Sequence, residues 1–195
     1  MSLKQVDQFA SLSPPYSTIV ADPPWDYSEG FATASHTKGA PLRPRQDYDL
    51  PYSSMSVADV MRLPVSDLAG SDCRLFLWTT NKYLPDSFRV MDAWGFKYRQ
   101  TIVWHKLDCS PFSGSVAPNG AEFLMVATKG SPVRIGKWNH SVVSHAQSKK
   151  HSVKPGIFGD LVEQCSPGPY LELFARQPRL GWDAWGFGHE TKATA

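Results

Sequence analysis

"IVADPPWDYSEG", residues Ile19–Gly30, passes from three apolar residues straight into an acid, two prolines and a tryptophan. Ser17 to Ala21 reads as a short buried strand, and the prolines end it because each fixes φ near −65° and removes a backbone donor. So stiff an exit makes a rigid turn at the carboxyl end of a sheet, where α/β proteins bind ligands. The Pro23 and Pro24 carbonyls have no local strand partner that must occupy them, Asp22 adds a carboxylate and Trp25 a flat ring. Two acceptors beside an aromatic plane suit a planar group bearing an NH2, such as the exocyclic amine of adenine. Accepting its N–H bonds at Asp22 and the Pro23 carbonyl would free a lone pair otherwise delocalised into the ring. Positioning and electrostatics would then carry an attack on an electrophile held in line. Four residues alone read equally well as a stiff turn with a core tryptophan.

The chain of 195 residues, 42% hydrophobic and 12% aromatic, has material for one domain, residues 1–195, with one core. No apolar run has the length of a membrane span, and "MSLKQVDQFA" lacks the layout of a signal peptide, so the expectation is a soluble cytoplasmic protein. Cys73, Cys109 and Cys165 lie far apart and the histidines lack ligand spacing, which argues against a disulfide framework or a metal site. A net charge of +2 does not by itself imply nucleic acid. The clusters Arg43–Arg45 and Lys149–Lys154 can meet phosphates, and read equally as solvated surface.

Further strands are expected at 73–80, 98–106, 122–130 and 170–176. Helices are expected at three places. One spans 56–63, with a capping-box-like Ser56 and Asp59. A second runs through Leu84, Phe88, Met91 and Trp94 until Gly95 stops it. The third spans 154–165, with Ile157, Leu161 and Val162 on one face. Stretches 27–52, 107–120 and 131–150 read as irregular. The alternation predicts an α/β sheet with helices on both faces, in which the exits at Asp22–Trp25, Trp104–Lys106 and Arg176 converge on one crevice.

The segments "DPPW" after "IVA", "LPYSSMS" (50–56), "LFLW" (75–78), "TIVWHK" (101–106), "VATKGSP" (126–132), "HSVKP" (151–155) and "YLELFAR" (170–176) stand in the order of one family. From about Ile19 to about Trp185 the chain resembles the MT-A type of S-adenosylmethionine-dependent N6-adenine methyltransferases. That group includes the catalytic subunit of the eukaryotic messenger-RNA adenosine methyltransferase and many bacterial and phage proteins. The resemblance implies a Rossmann-like methyltransferase sheet with permuted motif order, the DPPW strand preceding the cofactor strand, so that no G-x-G-x-x-G follows the first strand. It implies S-adenosylmethionine as cofactor and adenine N6 in nucleic acid as acceptor. DNA is favoured by analogy with short stand-alone members. RNA adenosine, a free nucleotide or another amine, and a catalytically silent nucleic-acid-binding subunit are the alternatives, with a homodimer or partner subunit as an option.

Carried onto this sequence, the resemblance makes Asp22, Pro23, Pro24 and Trp25 the catalytic turn, with Asp22 also near the cofactor's ammonium group. Lys154 meets the cofactor's carboxylate and Arg176 lies near its ribose. Trp104 and Lys106 stand on the target-base side, and Glu122 near the target adenine. Tyr27, Arg43, Arg45, His140, Lys149 and Lys150 lie in loops that frame the site, as candidates for phosphates or a flipped base. Taken alone, Lys154 reads as a surface lysine, Arg176 as a salt bridge to Glu172 or another acid, Trp78 as core, and each loop cation as solvated. The chain departs from the family where Gln177, Pro178 and Arg179 replace a His-Asn pair, leaving Arg179 as a substitute cofactor contact. It departs again where Phe187 takes the place of a cofactor-contacting asparagine. An upstream acidic contact would fall to Asp7, though the spacing differs.

Overall fold

The computed structural model describes residues 9, 12–27, 54–108, 116–147 and 153–186. Its strands are β1 (Tyr16–Ala21), β2 (Ala69–Thr79), β3 (Lys97–Lys106), β4 (Ala121–Lys129), β5 (Val142–His145), β6 (Tyr170–Leu173) and β7 (Trp182–Trp185). They form one sheet in the order β5-β3-β4-β2-β1-β6-β7. β1 is parallel to both β2 and β6, whereas β4 runs antiparallel to β2 and β3. The other six strands therefore end at one edge of the sheet, and β4 begins there.

The period of two along each strand divides the core. Ile19, Ala21, Leu75 and Leu77 face α1 (Val57–Met61), α2 (Val65–Leu68) and α3 (Leu84–Ala93). Val20, Phe76 and Trp78 face Phe158, Leu161 and Val162 of α4 (Ile157–Cys165) on the opposite side. Helices thus cover both faces, as the alternation predicts. Local chemistry fixes their ends. Ser56 accepts the Asp59 amide as an N-cap, a contact of the kind whose loss costs about 1 kcal/mol. α3 closes in a Schellman turn: Gly95 sits at φ 78°, its amide donates to Asp92, and the Phe96 amide donates to Met91. Trp94, fully buried, donates its indole N–H to the Val60 carbonyl at 3.0 Å and ties α3 to α1.

Some expectations need correction. β5 lies within the stretch read as irregular, and β7 was not anticipated. Both have four residues, too few for a period to be read, and they hold their places by parallel pairing to β3 and β6. β6 stops at Leu173 because Phe174 takes the left-handed φ of 64°, so Arg176 stands beyond the strand. On α3 the inward face is Ser87, Val90, Met91 and the following Trp94. Phe88 is 40% exposed and packs edge-on against Tyr98. On α4 the buried face is Phe158, Leu161 and Val162, with Ile157 half-buried at the first helical position.

Candidate active site

The edge where six strands end carries a chain of alternating charges. Asp22 follows β1, and both its oxygens accept from Lys154 Nζ, at 3.0 and 2.9 Å. Arg176 Nη2 lies 3.3 Å from Asp22 Oδ2. Lys154 Nζ also stands 3.2 Å from Glu122 Oε2, and Lys106 Nζ is 2.6 Å from Glu122 Oε1. Lys106 ends β3 and Glu122 begins β4, so the reversed direction of β4 brings the acid to the same edge. Each of these side chains keeps a fifth or less of its surface exposed. The two lysines lie over indole rings, Lys106 over Trp104 and Lys154 over Trp78.

Burial alone would push the Lys154 ammonium's pKa down, yet the carboxylates of Asp22 and Glu122 outweigh it and the net displacement is upward. For Glu122, burial acts upward, and Lys154 with Lys106 pull its pKa below the usual carboxylate range. Both groups are held in their charged forms.

A crevice of about 200 Å3 opens beside this network, between β1, β6 and the start of α4, lined among others by Asp22, Lys154, Phe158, Glu172, Arg176 and Trp182. Glu172 is the residue that reading the sequence missed as more than a partner for Arg176. It alternates with Leu171 and Leu173, which enter the opposite core, and so points to the crevice side. Burial, reinforced by the nearby Asp22 carboxylate, pushes its pKa up to about 7 against the pull of Arg179, Arg176 and Lys154. The signal available beforehand was an acid inside an otherwise apolar strand.

Asp22, Lys106, Glu122, Lys154 and Arg176, singled out from sequence, are therefore brought together. Arg176 pairs with Asp22, and Lys154 is no surface lysine. Four expectations are revised. Neither proline carbonyl is unoccupied: Pro24 O accepts from the Met55 amide and Pro23 O from the Trp25 amide, each at 2.8 Å, which leaves each oxygen one further lone pair. Trp25 offers no open ring: it is 5% exposed, stacks on Tyr83 and donates to the Trp78 carbonyl. Trp104 is 3% exposed, donates to the His145 carbonyl and belongs, like Trp78, to the core. Arg179 lines the crevice, but its guanidinium is clamped to Glu163 and Asp160 of α4 and lies over Trp182, so it fastens the wall.

Tyr27 stands at the site, its hydroxyl 2.6 Å from that of Thr80 and its ring edge-on to Tyr83. Lys82 donates to the Asp26 carbonyl and covers the rings of Tyr27 and Tyr83. His140 is exposed before β5. Lys149, Lys150, Arg43, Arg45, Asp7 and Phe187 lie outside the described residues. No group of three or more His, Cys, Asp or Glu able to hold a metal occurs among the described residues, and no helix among them is long and apolar enough to cross a membrane.

Comparison with known proteins gives a match of residues 16–188 to the MT-A70 family. The Type II methyltransferase M.MunI of Mycoplasma sp is 30% identical over 188 residues, covering 88% of this chain and 76% of that protein. The human N(6)-adenosine-methyltransferase catalytic subunit METTL3 is 26% identical over 168 residues, 83% of this chain but 26% of that protein. The human N(6)-adenine-specific methyltransferase METTL4 is 25% identical over 189 residues, covering 88% of this chain and 37% of that protein. The chain thus spans most of M.MunI and a minor part of the two human proteins.

Proposed function

Because the chain belongs to the MT-A70 family, we propose that it transfers a methyl group from S-adenosylmethionine to the N6 amine of adenine in nucleic acid, with DNA as the substrate. The observation that carries the reading is the charge chain Arg176, Asp22, Lys154, Glu122, Lys106 at one sheet edge.

The crevice has the donor set for such a cofactor: cations and carboxylates side by side for a zwitterionic amino-acid head, and aromatic walls from Phe158, Phe174 and Trp182 for a larger body. Lys154 would hold its carboxylate and Arg176 would lie near its ribose, while Asp22 and Glu172 would accept from its ammonium and hydroxyl groups. When bound, S-adenosylmethionine supplies an electrophilic methyl on its sulfonium. The protein's part is to orient the acceptor amine. Asp22 and the remaining lone pair of Pro23 O are acceptors fixed by the Pro-Pro turn, and Glu122 stands on the far side of Lys154. Fixed dipoles of this kind stabilise developing charge without reorganising.

A nucleic-acid partner is supported by an asymmetry in the chain. From Phe123 to Gly159 there is no acidic residue but six Lys or Arg and three His. Arg134, Lys137, His140 and His145 of this stretch are exposed: Arg134 and Lys137 stand beside the C-terminal end of α4, where the Ile135 amide donates to the Cys165 carbonyl and Gln164 donates to the Lys137 carbonyl, and β5 then carries the chain to His145 beside Lys106 of β3. Phosphates are expected to lie along this flank of the sheet, from the end of α4 to the site. The variant Arg134→Ala with Lys137→Ala should bind a DNA duplex more weakly, with the slope of log K against log salt shallower by about two, while binding S-adenosylhomocysteine as the wild type does. An unchanged slope would remove this flank from the interface.

DNA is preferred on the resemblance to short stand-alone DNA-modifying members. The test is mass spectrometry of separated DNA and RNA digests from methylation-deficient cells expressing the protein. N6-methyladenine is expected in the DNA pool. Its appearance only in RNA would reassign the substrate, and its absence from both would favour a catalytically silent subunit.

A further inference from the structure

Lys154 is shared between two carboxylates that belong to different halves of the site. An ammonium has three N–H donors, and Lys154 meets three oxygens: Asp22 Oδ1 at 3.0 Å, Asp22 Oδ2 at 2.9 Å and Glu122 Oε2 at 3.2 Å. A further anion can gain a donor from Lys154 only if one of these contacts yields.

The three contacts do not yield equally. Parting from Asp22 breaks two hydrogen bonds, both shorter than the contact to Glu122. Parting from Glu122 breaks one, and Glu122 keeps Lys106 on its other oxygen at 2.6 Å, so no buried charge is orphaned. We propose that Lys154 couples the two halves of the site: an incoming cofactor carboxylate replaces Glu122 at Lys154, and Glu122 Oε2 is thereby released to accept an N–H of the acceptor amine. The inference rests on the reading above that Lys154 meets the cofactor's carboxylate. It makes the site self-ordering, since Glu122 faces the acceptor with a vacant oxygen only after the cofactor is seated. Lys106 acts here as a positioning residue, holding Glu122 ionised and in place during the exchange. By reciprocity, an acceptor that occupies Glu122 strengthens cofactor binding by the same factor.

The test is calorimetric titration of S-adenosylhomocysteine, which carries the same carboxylate, into the intact protein and two variants. Glu122→Gln removes the charge that competes for Lys154, and should tighten binding by about threefold to tenfold, the span of a modest coupling. Lys106→Met leaves Glu122 dependent on Lys154 and should weaken binding by a similar factor. Circular dichroism establishes that each variant is folded, and the opposite signs allow either one to carry the test. A Glu122→Gln affinity equal to or weaker than that of the wild type, or shifts of the same sign in both variants, would overturn the coupling. A wild type that does not bind S-adenosylhomocysteine would overturn the cofactor reading itself, a separate outcome from the first.

Discussion

Asp22→Asn should lower the rate of methyl transfer by about 10²- to 10³-fold, the range for removing one preorganised electrostatic group from an active site. Asparagine keeps the shape and one acceptor oxygen but loses the charge, and Asp22 is the point where Lys154, Arg176 and the acceptor side of the crevice meet. Breaking one partner out of a buried ion pair costs roughly 3–5 kcal/mol when the other charge is stranded. Lys154 is not stranded, because it retains Glu122. The expected loss of stability is therefore smaller, and the fold survives. Rates at saturating substrate, read beside thermal melting by circular dichroism, check this. Activity within tenfold of the wild type would take Asp22 out of the reaction.

Glu172→Gln should make the protein more stable, and only at higher pH. An acid whose pKa rises from 4.5 in the unfolded chain to about 7 in the fold binds its proton more tightly when folded. Folding stability is then fully present below about pH 4.5 and falls as pH rises toward 7, because the folded state must ionise a buried carboxyl beside Asp22. Glutamine resembles the protonated form and escapes the loss. The gain at pH 8.5 should reach up to roughly 3 kcal/mol, at about 1.4 kcal/mol for each unit of displacement, and should nearly vanish at pH 4.5. Urea denaturation of both proteins at the two pH values measures it. An equal difference at both would show that the carboxyl's charge is not the cause.

The parts legible in the sequence were those with a local cause. Prolines at 23 and 24 end β1 wherever the strand lies, Ser56 caps α1 through its own third neighbour, and Gly95 stops α3 through its own left-handed φ. The gathering of Asp22, Lys106, Glu122, Lys154 and Arg176 was legible through motif order and the rule that ligands bind at strand exits. Side-chain fates decided by distant partners were not. Trp25 is sealed by Tyr83, Trp104 by the β5 and α4 side of the core, and Arg179 is claimed by acids on α4. Nor could four-residue strands such as β5 and β7 declare themselves, since their pairing comes from neighbours already in place.

The position of β1 in the sheet bears on when the enzyme can exist during synthesis. β1 is among the first segments to be made, yet one of its two neighbours is β6, near residue 170, and Asp22 and Lys154 are 132 residues apart in sequence. The Lys106 and Glu122 hairpin can pair as soon as it leaves the ribosome, but closing so long a loop must await almost the whole chain. On the proposed assignment, a nascent or C-terminally truncated chain would have Asp22 and Glu122 on the acceptor side without Lys154 and Arg176 on the side of the methyl donor. Chains cut before residue 154 are expected to show no methyl transfer, which an assay of such a truncated chain checks.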